Sequence, residues 1–317
     1  MRRDNYAVLV NEFLPSPWTH LFNTPQFFEI HRTENACYLQ LVAKASGEVL
    51  STIHFAEPSP GVFRSPRLGT FGSFDFKELP SIELVELFAD ETERILRDRG
   101  ATEVEIISPP FAHAPELSHL VFLALHHRGY RATPHSLNQS VRLDDRPFSA
   151  RVDADGRRRL VRARGAGLEA RKLTSLQELA DAYDVILDNT RRKGYQLSMT
   201  CDRVREMAET FGDRVYGFGV FRQAQPAAAS ITIRVNQDVV YVFYWGDAAG
   251  FSDVSPTILL AETIYDHARS EGARWMDIGT STNDGAPNYG LIHFKRNLGC
   301  EASLKLAYSK TLEGTRP

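Results

Sequence analysis

A chain of 317 residues, 43% hydrophobic and 24% charged, has the composition of a globular protein that buries real cores, and its length suits two domains of ordinary size. A net charge of -3 gives no global attraction to nucleic acid or to an anionic membrane, so any polyanionic partner must meet a local patch. Cys37, Cys201 and Cys300 stand far apart without CxxC spacing or clustered histidines, and neither a signal-peptide core behind Arg2 and Arg3 nor a run of about 18 apolar residues occurs. The expectation is a cytoplasmic protein with reduced thiols and no membrane span.

In chain order, strand-like runs appear first at CYLQLVAK (37–44), EVLSTIHF (48–55) and VFRSPRLG (62–69). A helical pattern from Ile82 to Arg99 ends at Gly100, the strand ATEVEII follows, and a second helix from Pro115 to His127 ends at Gly129 before the strand SLNQSVRLD. The segment RVDADGRRRLVRARGAGLEARKL (151–173) comes next, with seven basic residues and only Glu169 acidic between Arg157 and Lys172. Three more strand-like runs, VYGFGVF, AAASITIRV and VVYVFYWG, lead to a helix from Pro256 to Ser270 that ends at Gly272. The strand ARWMDIG, a short helix from Tyr289 to Asn297 ending at Gly299, and the strand ASLKLAYSK complete the chain.

Gly100 and Gly272 are 172 residues apart and Gly129 and Gly299 are 170 apart, each where a helix needs a left-handed C-terminal residue. This nearly constant offset marks an internal repeat. The expected fold is therefore α/β (α+β), two tandem units, each a mixed, largely antiparallel sheet flanked by helices. The expected boundaries are an N-terminal domain at 1–145, a basic crossover at 146–174 and a C-terminal domain at 175–317. The commonest fate of such a basic run is a solvated helical face, with a phosphate-facing patch as the alternative.

No Walker loop, GxGxxG, GxSxG, HExxH or metal-spaced cluster occurs, which argues against NTP hydrolysis, hydride transfer, serine hydrolysis and zinc chemistry. Chemistry is better sought between Trp275 and Gly299, where a buried strand leaves through a polar, glycine-containing loop into a short helix, since ligands of α/β proteins gather at such strand ends. Asp277 lies in that strand and Lys295 on that helix; the matching stretch of the first half has no lysine in its second helix. Upstream, GDAAGFSDVSPTILLAE (246–262) offers Ser255 as an N-cap and Pro256 at the first helical position, so that free N–H groups could hold a phosphate.

Several of these features together resemble the Fem-type peptidoglycan-bridge aminoacyltransferases and the wider GNAT superfamily, including polysaccharide-associated acyltransferases. They are the Thr24-Pro25-Gln26-Phe27-Phe28 helix start, the Ser65-Pro66-Arg67 turn, the basic crossover, Arg192-Lys-Gly-Tyr195 and, above all, Phe294-Lys295-Arg296-Asn-Leu-Gly299. The resemblance implies tandem GNAT-like domains and direct transfer of an acyl group to an amine, without a covalent enzyme intermediate, in a cleft between domains. It implies catalytic roles for Phe294 and Lys295, beside which we place Asp277 and Tyr244. Ser255, Pro256, Thr257 and Arg296 are the expected donor-binding residues; Arg192, Tyr195, Asn288 and Tyr289 are the expected acceptor side. Lys295 is assigned to a developing oxyanion or donor phosphate, as suits a compact cation, and Asp277 to orienting the amine or Lys295.

The chain departs from the usual GNAT pyrophosphate loop, whose Gln/Arg-x-x-Gly-x-Gly/Ala pattern is missing from 246–262. The expected donor is an acyl-CoA co-substrate, with no tightly bound cofactor and no metal, and the expected acceptor is a small or cell-envelope-precursor amine. The alternatives are an aminoacyl-tRNA donor, making tRNA a partner, and a non-catalytic binding module. A monomer or homodimer is expected.

Overall fold

The computed structural model describes residues 3–283 and 285–312. The first unit takes in residues up to 137 together with 303–317, and the second comprises 138–302. This division differs from the sequence expectation at both ends. The basic segment 146–174 lies wholly inside the second unit, and the end of the chain belongs to the first, because strand pairing over long separations leaves no local signal in sequence.

The first unit contains β1 (Tyr6–Val10), α1 (Pro25–Ile30), β2 (Cys37–Ala43), β3 (Glu48–Ser59), β4 (Val62–Ser65), β5 (Asp75–Phe76), α2 (Ile82–Asp98), β6 (Glu103–Ile107) and α3 (Pro115–His127). Ser81 caps α2 through the Leu84 N–H, and one face of α2 buries Val85, Phe88 and Leu96 against Ile53, Phe55 and Val104 of the sheet. Strands β1 to β3 form an antiparallel meander, whereas β4 and β6 pair in parallel, Val62 opposite Glu103, because α2 carries the chain back between them. The strand β7 (Arg131–Arg142) follows α3, and its residues from 138 onward belong to the second unit.

The second unit contains α4 (Phe148–Arg151), α5 (Ala154–Gly165), β8 (Leu168–Leu173), α6 (Leu176–Arg192), α7 (Cys201–Phe211), β9 (Val215–Arg222), β10 (Gln225–Arg234), β11 (Val239–Asp247), α8 (Pro256–Ser270) and β12 (Trp275–Thr280). After a hairpin of β13 (Thr282–Asn283) and β14 (Ala286–Pro287) come α9 (Tyr289–Asn297) and the start of β15 (Glu301–Thr311). Its sheet order is β7-β12-β11-β10-β9-β8, all antiparallel except β11 with β12. Here α8 makes the return, so β11–α8–β12 repeats β4–α2–β6 and gives the internal repeat its structural meaning. The fold is α/β, with largely antiparallel sheets flanked by helices.

The segment expected as a crossover folds as α4, α5 and β8, and its arginines are engaged locally. Arg158 and Arg159 pair with Asp155, Arg162 donates to the Asp253 carbonyl, and Arg164 pairs with Glu262 on α8 at 2.6 Å. Beyond α9, Gly299 has φ +80°, and a Cβ there would stand 2.6 Å from the Arg151 carbonyl oxygen. Gly299→Ala is therefore expected to destabilise the protein by about 1–3 kcal/mol, read as a lowered urea midpoint with an unchanged m-value. Past this turn, β15 runs antiparallel to β6 in the first unit, with Ala307 opposite Ile107, and buries Tyr308 in that unit's core, joined by Leu312 just after the strand.

Candidate active site

The site is organised by the way β11 and β12 part. Their ladder covers only Val239–Tyr241 opposite Trp275–Asp277, although β11 continues to Asp247 and β12 to Thr280. Just beyond, β11 carries a bulge. Val242 faces Thr232 and Tyr244 faces Ile231, so Phe243 is the extra residue, and such a residue redirects the side chains and backbone groups around it. Strand alternation then sends Trp245 to the face of the sheet covered by α8 and α9, where its ring lies 5.9 Å from Phe294.

Tyr244 points to the opposite face. Its hydroxyl accepts from the Met199 N–H at 3.0 Å and bonds the Ser198 hydroxyl, and burial pushes its pKa up. It thus anchors the segment between α6 and α7. On the same side, buried Asn189 of α6 donates to the Asp247 carbonyl at 2.9 Å and to its carboxylate. A Cβ on Gly246 would meet the Asn189 Cβ at 2.7 Å, so helix and strand touch too closely there for any other residue.

Lys295 is 2% exposed and donates through Nζ to the carbonyls of Gly279 and Thr280, at 2.9 and 2.7 Å. Burial lowers its pKa to about 8, against which the charges of Cys300 and Asp277 raise it. Asp277 accepts from Asn138 Nδ2 and from the Gly279 N–H, both at 2.7 Å. It faces away from the core side occupied by Met276 and Ile278, so it braces the turn at the end of β12 and acts on Lys295 through space.

A pocket of about 470 Å³ opens beside these groups, lined entirely by the second unit. Trp245, Phe294 and Leu291 supply apolar wall, the first turn of α8 at Pro256 and Thr257 supplies backbone donors, and Arg159 and Lys193 supply positive charge. Asp155 and Asp247 also line it; the first pairs with Arg159 at 2.7 Å, and the second lies 3.8 Å from Lys193.

The structure distributes the sequence-predicted residues unevenly. Phe294, Ser255, Pro256, Thr257, Tyr195 and Asn288 line the pocket; Lys295 lies buried behind its wall. Ser255 holds the capping position in a left-handed conformation, φ 54° and ψ 55°, and its side chain makes no cap bond, because a capping side chain reaches N2 or N3 from extended backbone. Asn288 does cap α9, accepting from the Leu291 N–H at 3.0 Å. Arg192 pairs with Asp188 and donates to the Asp247 carbonyl, while Arg296 and Tyr289 are exposed outside the lining, Tyr289 at 79%. Sequence reasoning missed Asn138, Gln139, Asn189 and Asp247, whose partners are remote in sequence; Asn189 stands on the apolar face of α6 among Ala182, Tyr183 and Ile186, an anomaly that could have marked it.

Residues 149–296 match the family described as an acetyltransferase (GNAT) domain. Among solved structures, FemX is similar over 92% of this chain and 92% of its own, with a TM-score of 0.70 at 14% identity. The L-PGS of Bacillus licheniformis gives 0.59 at 12% identity over 84% of this chain and 82% of its own. A C-terminal domain assigned to a lysylphosphatidylglycerol synthetase of Agrobacterium fabrum gives 0.57 at 12% identity over 82% and 80%. At these identities the likeness is one of fold. No curated protein matches the sequence at a significant level. The chain thus carries a segment, 149–296, that matches the acetyltransferase (GNAT) domain family, and it shares its fold with FemX.

Proposed function

We propose that the second unit transfers an acyl group from an acyl-CoA to an amine by direct attack, with no covalent enzyme intermediate. The observation that carries this reading is the pocket at the first turn of α8, beside a β11 whose ladder with β12 has already ended. An open strand edge suits the amide-bearing pantetheine arm, which can bond to it as another strand would. The α8 N–H groups with Lys193 and Arg159 suit the diphosphate. The Phe243 bulge turns backbone donors toward the developing oxyanion, and alignment of the bound pair supplies much of the rate.

In this reading Lys295 and Asp277 act by fixing the end of β12. The amine, a small molecule or an envelope precursor, approaches past Tyr195 and Asn288, with Arg192 and Tyr289 nearby. A second reading, an aminoacyl-tRNA donor, is favoured by the likeness to FemX and by the missing pyrophosphate pattern at 246–262.

Calorimetric titration with acetyl-CoA and longer acyl-CoAs, beside aminoacyl-tRNA, separates the two. Arg159→Ala and Lys193→Ala are each expected to weaken acetyl-CoA binding about tenfold, the effect of losing one charge-assisted contact. Binding of charged tRNA alone, falling steeply with salt because many phosphates are engaged, would replace the first reading by the second. Silence with both donors would sink both and leave the non-catalytic module.

A further inference from the structure

Helix α9 supplies the pocket wall through Leu291 and Phe294, yet it has nine residues and Lys295 is its only fully buried side chain. A helix this short does not persist by itself, and apolar burial gives it little anchorage. Polar struts hold it instead. Lys295 spans to the end of β12, and the Asn288 N–H donates to the Ser281 carbonyl at 2.9 Å. A third strut is Gln139 of β7, which is 1% exposed. Its Oε1 accepts from the Ser281 hydroxyl at 2.6 Å and its Nε2 donates to the Ile292 carbonyl at 3.4 Å.

Gln139 shares its strand face with Val141, which sits in the core. An apolar residue could continue that core, whereas a glutamine there must have its amide satisfied to be tolerated. What the amide adds is a fixed distance between β7, the loop after β12 and the middle of α9. We propose that Gln139 is a positioning residue for the pocket wall: with Ser281 it sets where α9 lies, and hence where Phe294 stands against Trp245. Its effect on donor affinity rests on the acyl-CoA reading above; the placement of Phe294 does not.

The test uses the full chain labelled with 5-fluorotryptophan, whose three tryptophans give three fluorine resonances, that of Trp245 being assigned with Trp245→Phe. In Gln139→Leu and in Ser281→Ala the Trp245 resonance is expected to move while that of Trp18 stays and thermal unfolding remains cooperative. The double variant should add nothing, since the two residues form one strut. Acetyl-CoA affinity should fall about tenfold in either single variant. An unmoved Trp245 resonance in Gln139→Leu overturns the proposal, as does a shift that appears only with loss of cooperative unfolding. A shifted resonance in a protein that binds no acetyl-CoA, wild type included, upholds the positioning role and removes the donor reading.

Discussion

Glu93→Ala is expected to destabilise the protein by about 3–5 kcal/mol, the cost of removing one partner from a buried ionic cluster. Glu93 is 1% exposed on α2 and accepts from Arg97 and Arg128 at 2.9 Å and from Lys310 of β15 at 2.8 Å. Without it, the partly buried Arg128 and Lys310 lose the carboxylate they share. Burial alone would raise the Glu93 pKa, but the hydrogen bonds and charges of Arg128 and Lys310 outweigh it and hold the carboxyl below its ordinary value. The stabilisation is therefore present above the unfolded carboxylate pKa and is lost as pH falls through the lower folded one. Urea unfolding should show a wild-type advantage over Glu93→Ala at neutral pH that shrinks in acid; equal midpoints at pH 7 would refute the role given to the cluster.

Lys295→Met is expected to remove a different pH dependence. The folded lysine has a pKa of about 8 against 10.5 for the free side chain. Between those values the unfolded chain keeps a proton that the folded chain has released, so wild-type stability rises with pH across that window. A shift of this size corresponds to a gain of roughly 3 kcal/mol, and methionine, with no proton to lose, lacks it. The stability difference between wild type and variant should thus grow in favour of wild type from pH 8 to pH 10.5. Parallel curves over that range would show that burial does not disfavour the Lys295 ammonium, its bonds to the Gly279 and Thr280 carbonyls offsetting the lost solvation. Because the same substitution breaks both struts to Gly279 and Thr280, donor binding should weaken with it.

Helix limits were legible because caps and glycines are local chemistry. Ser81 and Gly100 bracket α2, Pro256 and Gly272 bracket α8, and Asn288 and Gly299 bracket α9. The repeat was legible for the same reason, since it rests on where helices stop. The faces taken by side chains were harder to read. Tyr244 and Trp245 are neighbours in sequence with opposite destinations, and the bulge at Phe243 decides which goes where. Lys295 looks like any solvated helical lysine until the carbonyls of Gly279 and Thr280 are brought beneath it, and Gln139 gains meaning only once Ser281 and Ile292 arrive. Pairings across 100 or more residues depend on the whole fold, and no window of sequence contains them.

The route of β15 has a consequence for how the protein is made. The first unit lacks the strand that carries Tyr308 and Lys310, and Leu312 just past it, until the second unit's residues have been synthesised. At roughly 5–20 residues per second, the ribosome takes on the order of ten seconds or more to pass from residue 137 to residue 303. Throughout that interval the β6 edge that will receive β15 is exposed, and Glu93 waits for one of its three cations. Vectorial synthesis, which ordinarily lets the leading domain finish first, here makes it finish last, and nascent chains halted before residue 303 should be the ones that chaperones retain and proteases cut in the first unit.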